Sequence, residues 1–191
     1  MASIYTHLAI AKLYLEKNEV KDTHAFCDGS VMPDVTSEKE NSHYGNRGET
    51  KDLIKRHKEK IGLAEFLQAN PDDTDFNRGR FLHLLTDYKY YNELMPNDYL
   101  KTIDFPTWTR DLFYTIKYHE KYLIEKYNLS FDMTSMKDKL TNILAGWEKR
   151  DLEKYGPNGP QGVLLHTREE LENFIQELGN ANLKNLTGRY L

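Results

Sequence analysis

The segment Phe81 to Tyr91, FLHLLTDYKYY, sets a histidine and an aspartate four positions apart among leucines and tyrosines. On a helix, His83 and Asp87 stack one turn apart on the same face. Phe76, Arg80, His83, Asp87 and Tyr90 or Tyr91 form one line, whereas Phe81, Leu84, Leu85 and Tyr88 point elsewhere. Both faces are therefore occupied, and the segment reads as a buried central helix.

The remainder of the chain supplies helices to surround it. Ser3 is an N-cap for Ile4 to Lys17, in which Ile4, Leu8, Ala11 and Leu15 repeat at helical spacing and His7 borders the stripe. Asp22 caps a short second helix ending near Gly29. Val31 to Thr50, rich in Ser, Asn, Gly and Glu with Pro33 inside, reads as a long loop. Loops of that length inside a domain are often functional, and this one holds Asp34 and His43. Thr50 is placed to cap a helix carrying Leu53, Ile54 and Ile61, interrupted at Gly62, continued by Leu63, Phe66 and Leu67, and closed by Pro71. The central helix then starts at Asp73 or Asp75. Thr107 caps a further helix through Trp108, Leu112, Ile116 and Leu123 that ends at Asn128, and Met133 to Leu152 repeats the pattern. Gly156 to Gly162, GPNGPQG, is loop. Thr167 and Glu170 form a capping box ahead of Leu171, Phe174, Ile175 and Leu178, with Gly179 as C-cap. With no strand alternation and no internal repeat, the expected fold is an all-α, compact multi-helix single domain spanning residues 1–191.

Composition narrows the function. A chain of 191 residues with 39% hydrophobic and 13 Tyr can build one core. The net charge of −4 argues against holding polyanions by surface charge alone, so nucleic acid is disfavoured except as a substrate. One cysteine, Cys27, excludes an intrachain disulfide and a cysteine-ligated zinc knuckle. The N-terminus lacks a basic n-region and an uninterrupted apolar run, and no segment approaches bilayer-spanning length, so a cytoplasmic protein is the simplest expectation. Neither composition nor motif specifies an oligomeric state.

The chemistry starts from His83 and Asp87. Imidazole and carboxylate one turn apart reach the same cation, and the carboxylate keeps a second oxygen to bridge a neighbouring one. The same pair also serves as a hydrogen-bonded brace in a core helix. With 7 His and 14 Asp in 191 residues, about 0.5 such pairs arise by chance, so the pair needs company. That company is His7, Asp34 after Pro33, and His43 after Ser42. His24, His57 and His166 sit in polar surroundings and are expected to be exposed, while Trp108, Phe113, Trp147 and Phe174 are expected core anchors.

The ordered set YTHLAIAK (Tyr5–Lys12), MPD (Met32–Asp34), SHY (Ser42–Tyr44) and FLHLLTDY (Phe81–Tyr88) resembles the zinc-dependent phospholipase C family, which includes the single-strand-specific fungal nucleases. The likeness covers roughly the first half of the chain. It implies an all-α fold with a metal cleft between helices, in which Asp34, His43 and His83 hold one ion, Asp87 bridges to a second, and His7 ligates that second ion. In the secreted relatives the free amino terminus also binds metal, so removal of Met1 would leave the Ala2 amine as a ligand near His7. A further metal in the family is held by a His shortly after the bridging Asp. Glu93 stands at that position here, and Glu93 with His119, or with Glu120 as a substitute, forms the candidate additional site.

The expected activity is a metal-dependent phosphoesterase acting on a small phosphoester through a metal-activated water, with Asp34 assisting its deprotonation. Imidazole with carboxylate suits zinc, and the carboxylates also admit manganese or iron, with two divalent ions expected. Arg80, Tyr88 and Tyr91 are candidates for shaping the substrate pocket. The alternative is a non-catalytic helical binding or scaffold protein that retains a metal site.

Overall fold

The computed structural model describes residues 2–36, 39–45 and 61–183. Among these the chain is helical, and the only extended pairing is one antiparallel bridge between Tyr44 and Ile61. The helices are α1 (Ile4–Lys17), α2 (Thr23–Val35), a short α3 (Lys39–Ser42), α4 (Leu63–Ala69), α5 (Asp75–Lys89), a short α6 (Asn97–Leu100), α7 (Phe105–Tyr127), α8 (Lys137–Tyr155) and α9 (Arg168–Gly179). A π-helical turn, Tyr90–Leu94, extends α5, and a 3-10 turn, Phe131–Met133, precedes α8. No helix among the described residues is long and apolar enough to cross a membrane.

Local chemistry explains the ends. Ser3, Asp22, Thr74, Asp104 and Thr167 each accept a backbone N–H of the first turn with a side-chain oxygen. Thr167 and Glu170 close the capping box reciprocally. Asn128 ends α7 in the left-handed conformation, at φ +45°. Two expected caps move: Asp104, not Thr107, caps α7, with Pro106 in its first turn, and Asn180, not Gly179, caps α9. Gly179 lies inside that helix, close against α1: a methyl group there would come 2.5 Å from Leu13 Cβ.

The largest departure from expectation is α2, which runs on to Val35 where a loop from Val31 was expected. Pro33 sits in the last turn, where its missing N–H removes a single intrahelical bond, while Val31 and Asp34 gain burial by continuing the helix. Asp34 is therefore a helix residue. Of the helix expected from Thr50, residues 50–60 lie outside the described residues; Ile61, expected on it, pairs with Tyr44 in the bridge, and after the break at Gly62 Leu63–Ala69 is helical as expected.

As expected, α5 is buried on all sides: Gly79, Phe81, Leu82, His83, Leu84, Leu85, Thr86 and Asp87 are all shielded. Its closest neighbour is α2. A methyl on Gly79 would lie 2.0 Å from the Phe26 carbonyl oxygen, and one on Gly29 would lie 2.1 Å from that of Phe76. The two backbones touch through reciprocal glycines, which brings the α2 residues Ser30 and Asp34 against His83, one turn beyond Gly79. On the other flank α1 inserts Ala9, Ile10 and Ala11 into the main core, while Ile4 and Leu8 pack with Val31 and Leu140 in a second cluster. Trp108 and Phe174 are buried anchors as expected; Phe113 and Trp147 are only half-buried.

Replacing Gly79 by Ala should destabilise the fold by about 1–3 kcal/mol or more through overpacking, which lowers the melting temperature by several degrees at this chain length. Gly146 has nothing within 4 Å of an added methyl. Gly146→Ala, mid-helix in α8, should instead stabilise by roughly 0.5–1 kcal/mol. Thermal denaturation of both variants distinguishes the close backbone approach from generic helix propensity.

Candidate metal centre

Five side chains converge where α1, α2, α5 and the turn after α3 meet. His7 comes from α1, Asp34 from α2, His43 from the turn, and His83 and Asp87 from α5. All are buried, at 0–2% exposure. His7, His83 and Asp87 present ligand atoms within 4.8 Å of one another, and so do Asp34, His43 and His83. Every residue that the sequence singled out for the two-ion core is therefore in one place.

The facing atoms approach one another at 3.4–4.0 Å. His7 Nε2 lies 3.4 Å from Asp87 Oδ1 and 4.0 Å from Asp34 Oδ2. His43 Nε2 lies 3.4 Å from Asp87 Oδ2, and His83 Nε2 lies 3.9 Å from the same oxygen. Hydrogen bonds of this type run at about 2.7–3.2 Å. Two ligands about 2.0–2.1 Å from one tetrahedral ion sit about 3.3–3.4 Å apart. The brace reading of His83 and Asp87 requires a hydrogen bond that their 3.9 Å separation does not provide. Asp87 instead turns one oxygen to His7 and the other to His43 and His83.

Neighbouring groups fix which nitrogen faces inward. His83 Nδ1–H donates to the Ser30 carbonyl at 2.9 Å. Ser42 Oγ donates to the Pro33 carbonyl at 3.0 Å and so accepts from His43 Nδ1–H at 2.9 Å. Both rings then direct Nε2 at the cluster, the arrangement that metal-binding histidines use. His7 Nε2, both Asp34 oxygens, His43 Nε2, His83 Nε2 and Asp87 Oδ2 are buried with no hydrogen-bond partner. Each such atom costs roughly 1–3 kcal/mol, so six cost on the order of 10 kcal/mol. That is comparable to the whole stability of a typical domain, about 5–15 kcal/mol. A cation among these atoms removes the penalty, so the donor set fits a divalent metal.

Charge balance agrees. Burial and the neighbouring His7 hold His83 well below its ordinary pKa, so its ring is neutral and able to ligate. Burial pushes Asp34 up, more than His7 draws it down. For Asp87, burial also acts upward, but positive charge at the amino terminus and the contacts from His43 and His7 outweigh it and keep the carboxyl well below its usual range. The Ala2 backbone N–H donates to Asp87 Oδ1 at 2.7 Å, so this nitrogen already lies at the cluster. Loss of Met1 would turn it into an amine at the same place.

The other candidates lie elsewhere in the fold. Glu93 is exposed and pairs with Lys89 at 2.8 Å. Neither Glu93 nor His119 belongs to a group of three or more converging ligands among the described residues. Glu120 faces a separate cleft with Tyr5, Phe113, Ile116 and Trp147. Arg80 commits Nη1 to Asn70 Oδ1 and Nη2 to Tyr44 OH, both at 2.9 Å, rather than reaching toward the cluster. Tyr88 and Tyr91 pack in or against the main core.

His166, expected to be exposed, is buried: its ring stacks on that of His119 with centroids 5.0 Å apart, and its Nε2 meets Tyr90 OH at 2.9 Å. The available signal was His166 followed four positions later by Glu170, although Glu170 spends its carboxylate on the Thr167 cap. Burial and the adjacent His119 bring His166 down to about 4.

No family model, curated protein or solved structure matches the chain.

Two measurements follow. Each zinc ion held at 100 times its dissociation constant should stabilise the protein by about 2.7 kcal/mol, raising the melting temperature by about 5–10 °C per ion, and excess chelator should reverse the gain. Separately, His166 is neutral when folded and has a lower pKa than in the unfolded chain. The stability it contributes is then complete above its unfolded value of about 6.5 and lost as pH falls toward about 4. The urea midpoint of His166→Gln should therefore decline less than that of the unaltered protein between pH 6.5 and 4.

Proposed function

We propose that the cluster is a two-ion divalent-metal centre that hydrolyses a small phosphoester. The observation that carries this reading is the orientation of Asp87, whose Oδ1 faces His7 at 3.4 Å while its Oδ2 faces His43 at 3.4 Å. A carboxylate whose two oxygens address different histidines has the geometry of a bridge, and His83 belongs to both converging groups. His7 and Asp87 form one half of the centre; Asp34, His43 and His83 form the other. Three imidazoles with two carboxylates suit zinc, and manganese or iron are the next fits.

Two bound ions would supply a water of lowered pKa and neutralise charge on the phosphoryl oxygens. The chain's own contribution is to hold and orient. Ser30 and Ser42 keep His83 and His43 in the tautomer that directs Nε2 inward. Asp34 belongs to one ligand set, and its Oδ2 lies 4.0 Å from His7 Nε2 of the other, where a carboxylate can accept the proton of an attacking water. The apolar walls from α1 and α5 exclude bulk solvent, which strengthens these interactions. The ordered motifs resemble those of the zinc-dependent phospholipase C family, which supports a phosphoester substrate, and the net charge of −4 favours a small ester over a long polyanion.

The burial of all five side chains favours a second reading, a closed structural metal site in a helical binding protein. Catalysis separates the two. Protein purified without chelator, analysed for metal and assayed on a panel of phosphomonoesters and phosphodiesters, should contain two ions per chain and show turnover that chelation abolishes. Metal content with chelator-sensitive stability but no turnover on any ester would favour the structural site. Asp87→Asn should lose metal and activity together, by more than the about 10- to 100-fold that removing a group behind a ligand costs. An Asp87→Asn protein that keeps two ions rules out the bridge.

A further inference from the structure

His43 is the one member of the cluster that no helix carries, so something else must set its position. Its backbone is held from one side by the Gly62 amide, which donates to the His43 carbonyl at 2.9 Å. The next residue, Tyr44, pairs with Ile61 and adopts φ +58°, a left-handed conformation that a bulky residue takes only when its surroundings impose it. Gly62 admits this conformation, since a methyl there would come 2.2 Å from the Tyr44 carbonyl oxygen.

The Tyr44 side chain supplies the rest. Its hydroxyl accepts from Arg80 Nη2 at 2.9 Å and from Asn70 Nδ2 at 3.1 Å, and Arg80 Nη1 donates to Asn70 Oδ1 at 2.9 Å. The three groups form a closed ring of hydrogen bonds. The Arg80 guanidinium also lies 4.9 Å from the Phe66 ring centroid, and Tyr44 meets Phe66 edge-on at 5.3 Å. Arg80 sits on α5 three residues before His83.

On the metal-centre reading above, we infer that Arg80 is a positioning residue for that centre: through Asn70 and Tyr44 it ties His43 to the same helix that carries His83. One helix then sets both imidazoles of one ion, His83 directly and His43 at the end of a hydrogen-bonded tether. A guanidinium suits this role because its planar fork donates in two fixed directions, to Asn70 and to Tyr44; an ammonium offers no such fork.

Cobalt(II) tests the assignment in the full chain, since its affinity for each half can be resolved by chelator competition and its visible absorption reports ligand geometry. In the unaltered protein two cobalt ions should bind. Arg80→Met should weaken the ion held by Asp34, His43 and His83 by about 10- to 100-fold, the usual effect of losing support behind a ligand. Its absorption band should change, while the His7 and Asp87 half keeps its affinity. Arg80→Lys should not restore the lost affinity. Tyr44→Phe removes only the hydroxyl, keeps the ring packing, and should shift the same ion in the same direction, which covers the case in which Arg80→Met fails to fold. Two cobalt ions bound with unchanged affinity and spectrum in Tyr44→Phe or a folded Arg80→Met overturn the positioning role and leave the metal centre standing. No cobalt in the unaltered protein overturns both.

Discussion

The contact on which the rest depends is the approach of α2 to α5 at Gly29 and Gly79. Neither glycine is needed there for backbone freedom; each is needed because the opposite helix's carbonyl occupies the place of its Cβ. Approach at that distance lets the Ser30 carbonyl reach His83 Nδ1 and brings Asp34 onto the same side of α5. A wider crossing would put larger side chains between the helices and leave His83 and Asp34 out of one coordination sphere. The order of the residues along each helix, one turn from the glycine to the histidine on α5, turns a packing detail into a placement of ligands.

The interior beside this contact is unusually polar. A helix bundle ordinarily gains stability by burying apolar groups, and α5 buries an imidazole near its midpoint and a carboxylate in its last turn beside three more such groups from its neighbours. Unpaired, those groups oppose folding by on the order of 10 kcal/mol, comparable to the net stability of a typical domain. On the proposed reading fold and cation would be coupled: the helices create the donor set, and a cation at that set would compensate its charge as the helices close.

Much of this was readable in the sequence, for reasons that differ residue by residue. His83 and Asp87 were legible because their relation is internal to one helix, and helix periodicity fixes it. His7, Asp34 and His43 were legible only through their order in a set of motifs, since nothing local joins them. Proline usually stops a helix, so the end of α2 is not legible from Pro33; burial of Asp34 and Val31 outweighs one lost bond. His166 was misjudged because its neighbours, Thr167 to Glu170, read as a surface cap, whereas its ring is covered by α7 through His119. The task of Arg80 was invisible for a related reason: its partners lie 10 and 36 positions away. Periodicity reports a residue's own element, and tertiary partners at such separations leave no periodic trace.

The most direct test of the account is anomalous diffraction at the zinc edge from crystals of the full chain grown with zinc. It should show two peaks about 3.5–4 Å apart, one beside His7 and Asp87 and the other among Asp34, His43 and His83. A map with no peak inside this cluster, or with zinc only at exposed positions such as His24, would contradict it.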